Sequence, residues 1–201
     1  MVTAALVIDM QNGFCRADGS LPRAGFGLPR IDTVIRNNAA MIDAVRAAGM
    51  PVVFTRHVFR PDLVDVPARM MAALPPGTTP LVRGSRDAEI VAELAPLPGD
   101  RVIMKNRYDA FLYTDLELVL RLMGVRRLLV SGVVTNACVE ATVRSAEQRD
   151  FEVSVAADCI SAPGAAYEAA LASMAVFATV GPWRELLAGL QTGSAPAGAT
   201  T

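Results

Sequence analysis

Of the nineteen basic residues in the chain, eighteen are arginine and one, Lys105, is lysine; there is one histidine, His57, and three cysteines, Cys15, Cys138 and Cys159. A chain that uses arginine almost everywhere marks its lone lysine as a candidate for work that arginine cannot do. An ammonium is compact, shifts its pKa and can lose a proton, whereas guanidinium stays charged. Asp9, Lys105 and Cys138 together offer a base, a cation and a nucleophile. A free thiol, with a pKa near about 8.5, is mostly protonated at neutral pH. A helix first turn and a nearby cation lower that value. A carboxylate can accept the thiol proton while the ammonium holds the carboxylate and steadies the anions formed, which is the activated-nucleophile arrangement. Taken singly, each residue has a plainer reading: an inert buried thiol, a carboxylate capping a helix, a solvated lysine.

These residues can meet only if the fold carries them to one place. Short apolar runs alternate with longer amphipathic stretches along the chain. Strands are predicted at 5–8, 51–55, 101–104, 127–133, 151–156 and 178–180. Helices are predicted at 31–48, 87–94, 114–123, 136–149, 165–175 and 182–190, with Gly49 and Gly124 as stops and Thr114-Asp115-Leu116-Glu117 as a capping box. The stretch 56–84 shows little regular pattern. Continuous apolar strands alternating with helices predict an α/β, three-layer, doubly wound fold: a six-stranded parallel sheet covered by helices on both faces. Ligands in such folds sit beyond the carboxyl ends of the strands. Asp9 follows strand one, Lys105 follows strand three, and Cys138 opens the helix after strand four. One domain is expected over 1–190, with a Gly-, Ser-, Ala- and Thr-rich disordered tail over 191–201.

Composition narrows the function classes. The 201 residues are 52% hydrophobic and 19% charged, with a net charge of −1. That balance supplies a large core and argues against nucleic acid or an anionic membrane as partner. No apolar run reaches the ~18 residues of a membrane span. The N-terminus has no positive stretch and meets Asp9 too early for a signal peptide, so the expected address is cytoplasmic. Three widely spaced cysteines, without a Cys-x-x-Cys pair, fit a reducing compartment.

Three blocks, Val7-Ile8-Asp9-Met10-Gln11-Asn12-Gly13-Phe14, Lys105-Asn106-Arg107-Tyr108-Asp109-Ala110-Phe111 and Gly132-Val133-Val134-Thr135-Asn136-Ala137-Cys138-Val139, occur in the order and spacing of one family. Together they resemble the isochorismatase-like cysteine hydrolases, over about residues 4–181. The resemblance implies that Asp9, Lys105 and Cys138 are a catalytic triad acting on an amide or ureido carbonyl through a thioester. It implies an oxyanion hole from the backbone N–H groups of Val134 and Cys138, and a cis peptide between Val133 and Val134. It also implies a homo-oligomer, a dimer or tetramer, with a small molecule as substrate.

Branches of the family differ at a few positions. Nicotinamidases hold a metal with an Asp-x-His element; here Thr55-Arg56-His57 lacks the Asp, and no second histidine exists. No metal and no cofactor are therefore expected, and His57 reads as a loop or rim residue. Isochorismatases proper do not need the cysteine, so Cys138 argues against that branch. What remains is similar to the N-carbamoylsarcosine, ureidoacrylate and biuret amidohydrolases, which release ammonia. Phe14, Tyr108 and Phe111 are candidate pocket walls, with core packing the alternative for Phe14 and Phe111. Tyr108 and Gln11 are candidates to bond a ureido group, and Arg56 to hold a substrate carboxylate. Asp109 departs from the family pattern. Cys15 and Cys159 read as structural. A hydrolase of another amide, lactam or ester, and an inactive binding relative, are the competing readings.

Overall fold

The computed structural model describes residues 1–192. Six strands, β1 (Val2–Ile8), β2 (Val52–His57), β3 (Arg101–Lys105), β4 (Val125–Val133), β5 (Glu152–Ser161) and β6 (Thr179–Gly181), form one sheet in the order β3-β2-β1-β4-β5-β6. Every pairing is parallel. The helices are α1 (Asn12–Cys15), α2 (Ser20–Arg23), α3 (Ile31–Ala47), α4 (Ala68–Ala73), α5 (Leu116–Leu122), α6 (Glu140–Glu147), α7 (Ala166–Met174) and α8 (Trp183–Thr192).

Alternation along β1 shows why the sheet needs a layer on each face. Ala5 and Val7 join a core with Ile35, Met41 and Val45 of α3 and Trp183 and Leu186 of α8. Ala4, Leu6 and Ile8 join a second core with Leu116 and Leu120 of α5, Val143 of α6 and Met174 of α7. A strand buried on both sides must be apolar at successive positions, which is what Ala4 to Ile8 supplies. Burying a residue such as Leu6 or Ile8 contributes about 1.5–3 kcal/mol.

Strand order reverses at β1, whose neighbours are β2 and β4. The connections leaving the carboxyl ends of β1 and β4 run to opposite faces of the sheet there and leave a crevice. Gly132, at φ +109°, permits close approach: a Cβ on it would lie 2.0 Å from the Ile8 carbonyl oxygen. The Val133–Val134 peptide that follows is cis.

Several boundaries differ from the sequence expectations. Residues 87–94 form two separate 3₁₀ turns, Arg86–Ala88 and Ala92–Leu94, instead of one helix. The helix expected over 136–149 opens as a π-helical turn, Thr135–Val139, before α6 begins. No capping box forms at Thr114: its hydroxyl accepts from the Leu116 N–H at 3.2 Å, while Glu117 pairs with Arg121 and Arg149. The irregular stretch contains α4. Gln191 and Thr192, expected in the tail, continue α8, and 193–201 lie outside the described residues.

Candidate active site

Four strand ends meet. Asp9 follows β1 in a left-handed backbone conformation, φ 50°. His57 and Lys105 end β2 and β3 and are register partners. Cys138 lies in the π-helical turn after β4. All four are buried, none more than 3% exposed.

The Lys105 Nζ is 2.5 Å from Asp9 Oδ2. It also donates to the Arg107 carbonyl at 3.0 Å and lies 3.4 Å from His57 Nδ1. Burial alone would lower the Lys105 pKa, but the charges of Asp9 and Cys138 raise it above its ordinary value. The ammonium is thus fixed as a cation, and its compactness, rather than readiness to lose a proton, is what the site uses. Cys138 Sγ is 3.9 Å from His57 Nδ1, and one donor atom from each of Asp9, His57 and Cys138 lies within 4.8 Å of the others. Burial pushes the Cys138 thiol up to about 12; Lys105 opposes this and Asp9 adds to it. The resting Cys138 side chain is therefore a thiol, with a carboxylate beside it that can accept its proton.

Asp9 is held from behind by Thr55, which the sequence reading treated only as a missing metal ligand. The Thr55 hydroxyl donates to Asp9 Oδ1 at 2.6 Å and accepts from the Asp9 N–H at 3.2 Å. Thr142 has a parallel task. It donates to the Cys138 carbonyl at 2.7 Å and accepts from the Ala110 N–H at 3.0 Å, tying the Cys138 turn to the loop after β3. Neither residue carries a sequence signal, because a hydroxyl acquires such a role only through its neighbours.

His57 is not a rim residue. Pairing with β3 draws Arg56 and His57 into β2, and His57 ends 2% exposed among Asp9, Lys105 and Cys138. Burial, then the charge of Lys105, lower its pKa to about 3, so the imidazole is neutral. Asp9, His57 and Cys138 have the composition of a metal site. The residues fit a metal poorly, because the Lys105 ammonium already serves as the cation on Asp9.

A pocket of about 300 Å³ opens beside this cluster, lined by Val134, Asn136 and Ala137 together with Phe14, Tyr108 and others. The Val134 and Cys138 segment expected to bind an oxyanion thus borders the pocket. Phe14 and Tyr108 lie where the sequence reading placed them; their rings are 6.4 and 6.3 Å from the His57 ring.

Three substrate candidates are placed elsewhere. The Gln11 amide is spent on the backbone: it donates to the His57 and Ala88 carbonyls at 2.9 Å and accepts from the His57 N–H at 2.7 Å. Arg56 Nε donates to the Ala88 carbonyl at 2.8 Å. Phe111 stacks on Phe151 at 5.9 Å in the α5–α7 core, because Asp109 accepts the Phe111 N–H and turns the chain. Asp109 also accepts from Ser145, so the departure from the family pattern is a structural one. Cys15, pushed up to about 12 by burial, and Cys159 are free and buried.

Comparison with known proteins agrees with this fold. An isochorismatase domain family model matches residues 3–185. The ureidoacrylate amidohydrolase RutB of Methylobacterium radiotolerans is 35% identical over 190 residues, covering 87% of this chain and 74% of that protein. A crystal structure of a cysteine hydrolase from Pseudomonas syringae pv. phaseolicola superposes with a TM-score of 0.84 at 30% identity, covering 94% of this chain and 92% of the other. N-carbamoylsarcosine amidase from Thermoplasma acidophilum, at 24% identity, shares the fold with a TM-score of 0.75 over 92% of this chain and 98% of the other. The chain belongs to the isochorismatase family.

Proposed function

We propose that this protein is a cysteine amidohydrolase that cleaves a C–N bond of a small carbamoyl, ureido or amide substrate and releases ammonia. The observation that carries the reading is the burial of Asp9, Lys105 and Cys138 in one cluster against a small pocket. Likeness to ureidoacrylate amidohydrolases supports the choice of bond.

As Cys138 Sγ attacks the carbonyl carbon, its proton passes to Asp9. The carbonyl π electrons move to oxygen, and the oxyanion is held by the Val134 and Cys138 N–H groups. One donor of this kind is worth about 10²–10³ in rate. Collapse breaks the C–N bond, and Asp9 returns the proton to the departing nitrogen, which leaves as ammonia. Water then attacks the thioester, giving its proton to Asp9, and the thiol is regenerated. Lys105 stays protonated and keeps Asp9 aligned throughout. His57, neutral, packs the cluster without adding charge.

No metal or cofactor takes part in the proposal. A cytoplasmic address, supported by three buried free cysteines, and a homo-oligomeric state, dimer or tetramer, are also part of it. Among the described residues no helix is long and apolar enough to cross a membrane. Oligomer size is read by analytical ultracentrifugation.

The test combines ammonia release from a panel of ureido acids, ureas and primary amides with mass spectrometry of quenched enzyme. The expected result is turnover of one class, a mass adduct on Cys138, and loss of both in Cys138→Ala with the fold retained. Turnover by Cys138→Ala at near the parent rate would refute the mechanism.

A further inference from the structure

Helix α5 carries leucine on two opposite faces. Leu116 and Leu120 are buried in the second core, while Leu118 and Leu122, one turn apart, are 60% and 80% exposed. The loop entering the helix adds Leu112 and Tyr113, the latter 83% exposed. A surface helix keeps its outer face polar, and one that is apolar on opposite faces is suited to burial on both. Two charges of opposite sign bracket the stripe. Asp115 lies three residues before Leu118 and Arg126 four residues after Leu122, and both are exposed. Arg126 enters β4 in phase with Leu128 and Val130, which join the core beneath α5, so it stands on the same side of the sheet as the helix. Glu117 and Arg121 of α5 pair with each other. Among the described residues the Asp115 and Arg126 side chains have no ion pair and no hydrogen bond.

We propose that the outer face of α5 is where a second copy of this chain docks, with the two α5 helices antiparallel across a two-fold axis. This names the surface behind the homo-oligomeric state proposed above and rests on that reading, not on the amidohydrolase chemistry. A two-fold contact is self-complementary: where one residue meets a second, the second meets the first. With the axis midway along the stripe, Leu118 packs on the partner's Leu122, and Asp115 comes to the end of the partner's helix where Arg126 stands. Each copy thus supplies the charge that the other lacks, and does so twice. Parallel helices would instead set Asp115 against Asp115 and Arg126 against Arg126, which like-charge repulsion disfavours. Burying the leucine stripes together with Leu112 and Tyr113 of both copies removes on the order of 1,000 Å² from water, where specific interfaces begin. An apolar centre with charges at its rim is the usual anatomy of such a contact.

The test is sedimentation equilibrium of the parent and its variants, with thermal melts to confirm that each folds. The parent is expected to sediment as a dimer or tetramer. Leu118→Lys combined with Leu122→Lys sets like charges face to face across the axis and raises the Kd for self-association at least about a hundredfold. Asp115→Arg and Arg126→Asp each raise it at least about tenfold. The two charge exchanges together bring it back toward the parent value, because opposite charges meet again. An assembly unchanged by the leucine substitutions overturns the α5 interface and leaves the homo-oligomeric reading standing. Loss of the assembly without recovery in the double charge exchange overturns the antiparallel arrangement. A monomeric parent overturns the interface and the homo-oligomeric reading alike.

Discussion

Burial pushes the Cys15 and Cys138 thiols to the same value, about 12, and the Asp9 charge raises both, yet only Cys138 has the Lys105 ammonium opposing the rise. What separates a structural thiol from a nucleophile here is its neighbours. The three contacts of the Lys105 ammonium, with Asp9, the Arg107 carbonyl and the His57 ring, leave room for a compact cation. A planar fork in that space displaces Asp9 or the thiol, and a shift of ~1 Å can cost ~10² in rate. Lys105→Arg is therefore expected to lose at least ~10² in kcat, measured by steady-state kinetics, while its thermal melt shows that the chain still folds. His57 makes a second prediction, because it is the only histidine. Folded, its pKa is about 3; unfolded, it returns to its ordinary 6.5. Below pH 6.5 the unfolded chain binds a proton that the folded one refuses. Stability from this source is complete above pH 6.5 and is lost as pH falls toward 3, with a slope approaching about 1.4 kcal/mol per pH unit. Urea unfolding between about pH 4.5 and 6.5, before most carboxylates titrate, should show this slope in the parent and a flatter one in His57→Gln. Equal slopes would mean that His57 charges freely in the fold.

At the scale of elements, the site is the meeting of strand ends, and that much was legible from the sequence. Apolar runs ending at Ile8, Met104 and Val133 located Asp9, Lys105 and Cys138, which the fold brings together. His57 was not legible, since Thr55-Arg56-His57 lacks an apolar signature. It becomes strand because Arg56 and His57 pair with Met104 and Lys105 of β3. Phe111 was misplaced for the opposite reason, as a local Asp109 turn redirects a ring that spacing alone points at the pocket. Gly132 gives a prediction at this scale. With a Cβ 2.0 Å from the Ile8 carbonyl oxygen and 2.6 Å from the Ile8 nitrogen, Gly132→Ala must force β1 and β4 apart. Both contacts are backbone, so no side-chain rotation relieves them, and φ +109° adds strain. We expect a loss of stability of several kcal/mol, in the range of severe core substitutions, together with loss of turnover, since Asp9 follows Ile8 directly. Chemical denaturation and activity are measured on the same sample. Parent-like stability would show that the two strands can separate at little cost.

Over the whole molecule, the sheet and its two helical layers were readable because burial on both faces leaves its mark in composition, strand by strand. The pocket was not readable. Its walls come from Phe14, α4, Tyr108 and Asn136, segments far apart in the chain that share no periodic pattern. Asp9, Lys105 and Cys138 stand at or just past the ends of core strands, whereas α4 contributes no fully buried residue. Chemistry and selectivity thus rest on parts of very different cost to alter. Exposed positions of α4 such as Ala68, Arg69 and Ala72 should accept most replacements within about ±0.5 kcal/mol of the parent stability, measured by unfolding across a library of that helix, while substrate preference varies widely among the same variants. In evolutionary terms the protein can be retargeted by drift at the exposed positions of α4, Ala68, Arg69, Ala72 and Ala73, while Met70 and Met71 keep the helix on the core.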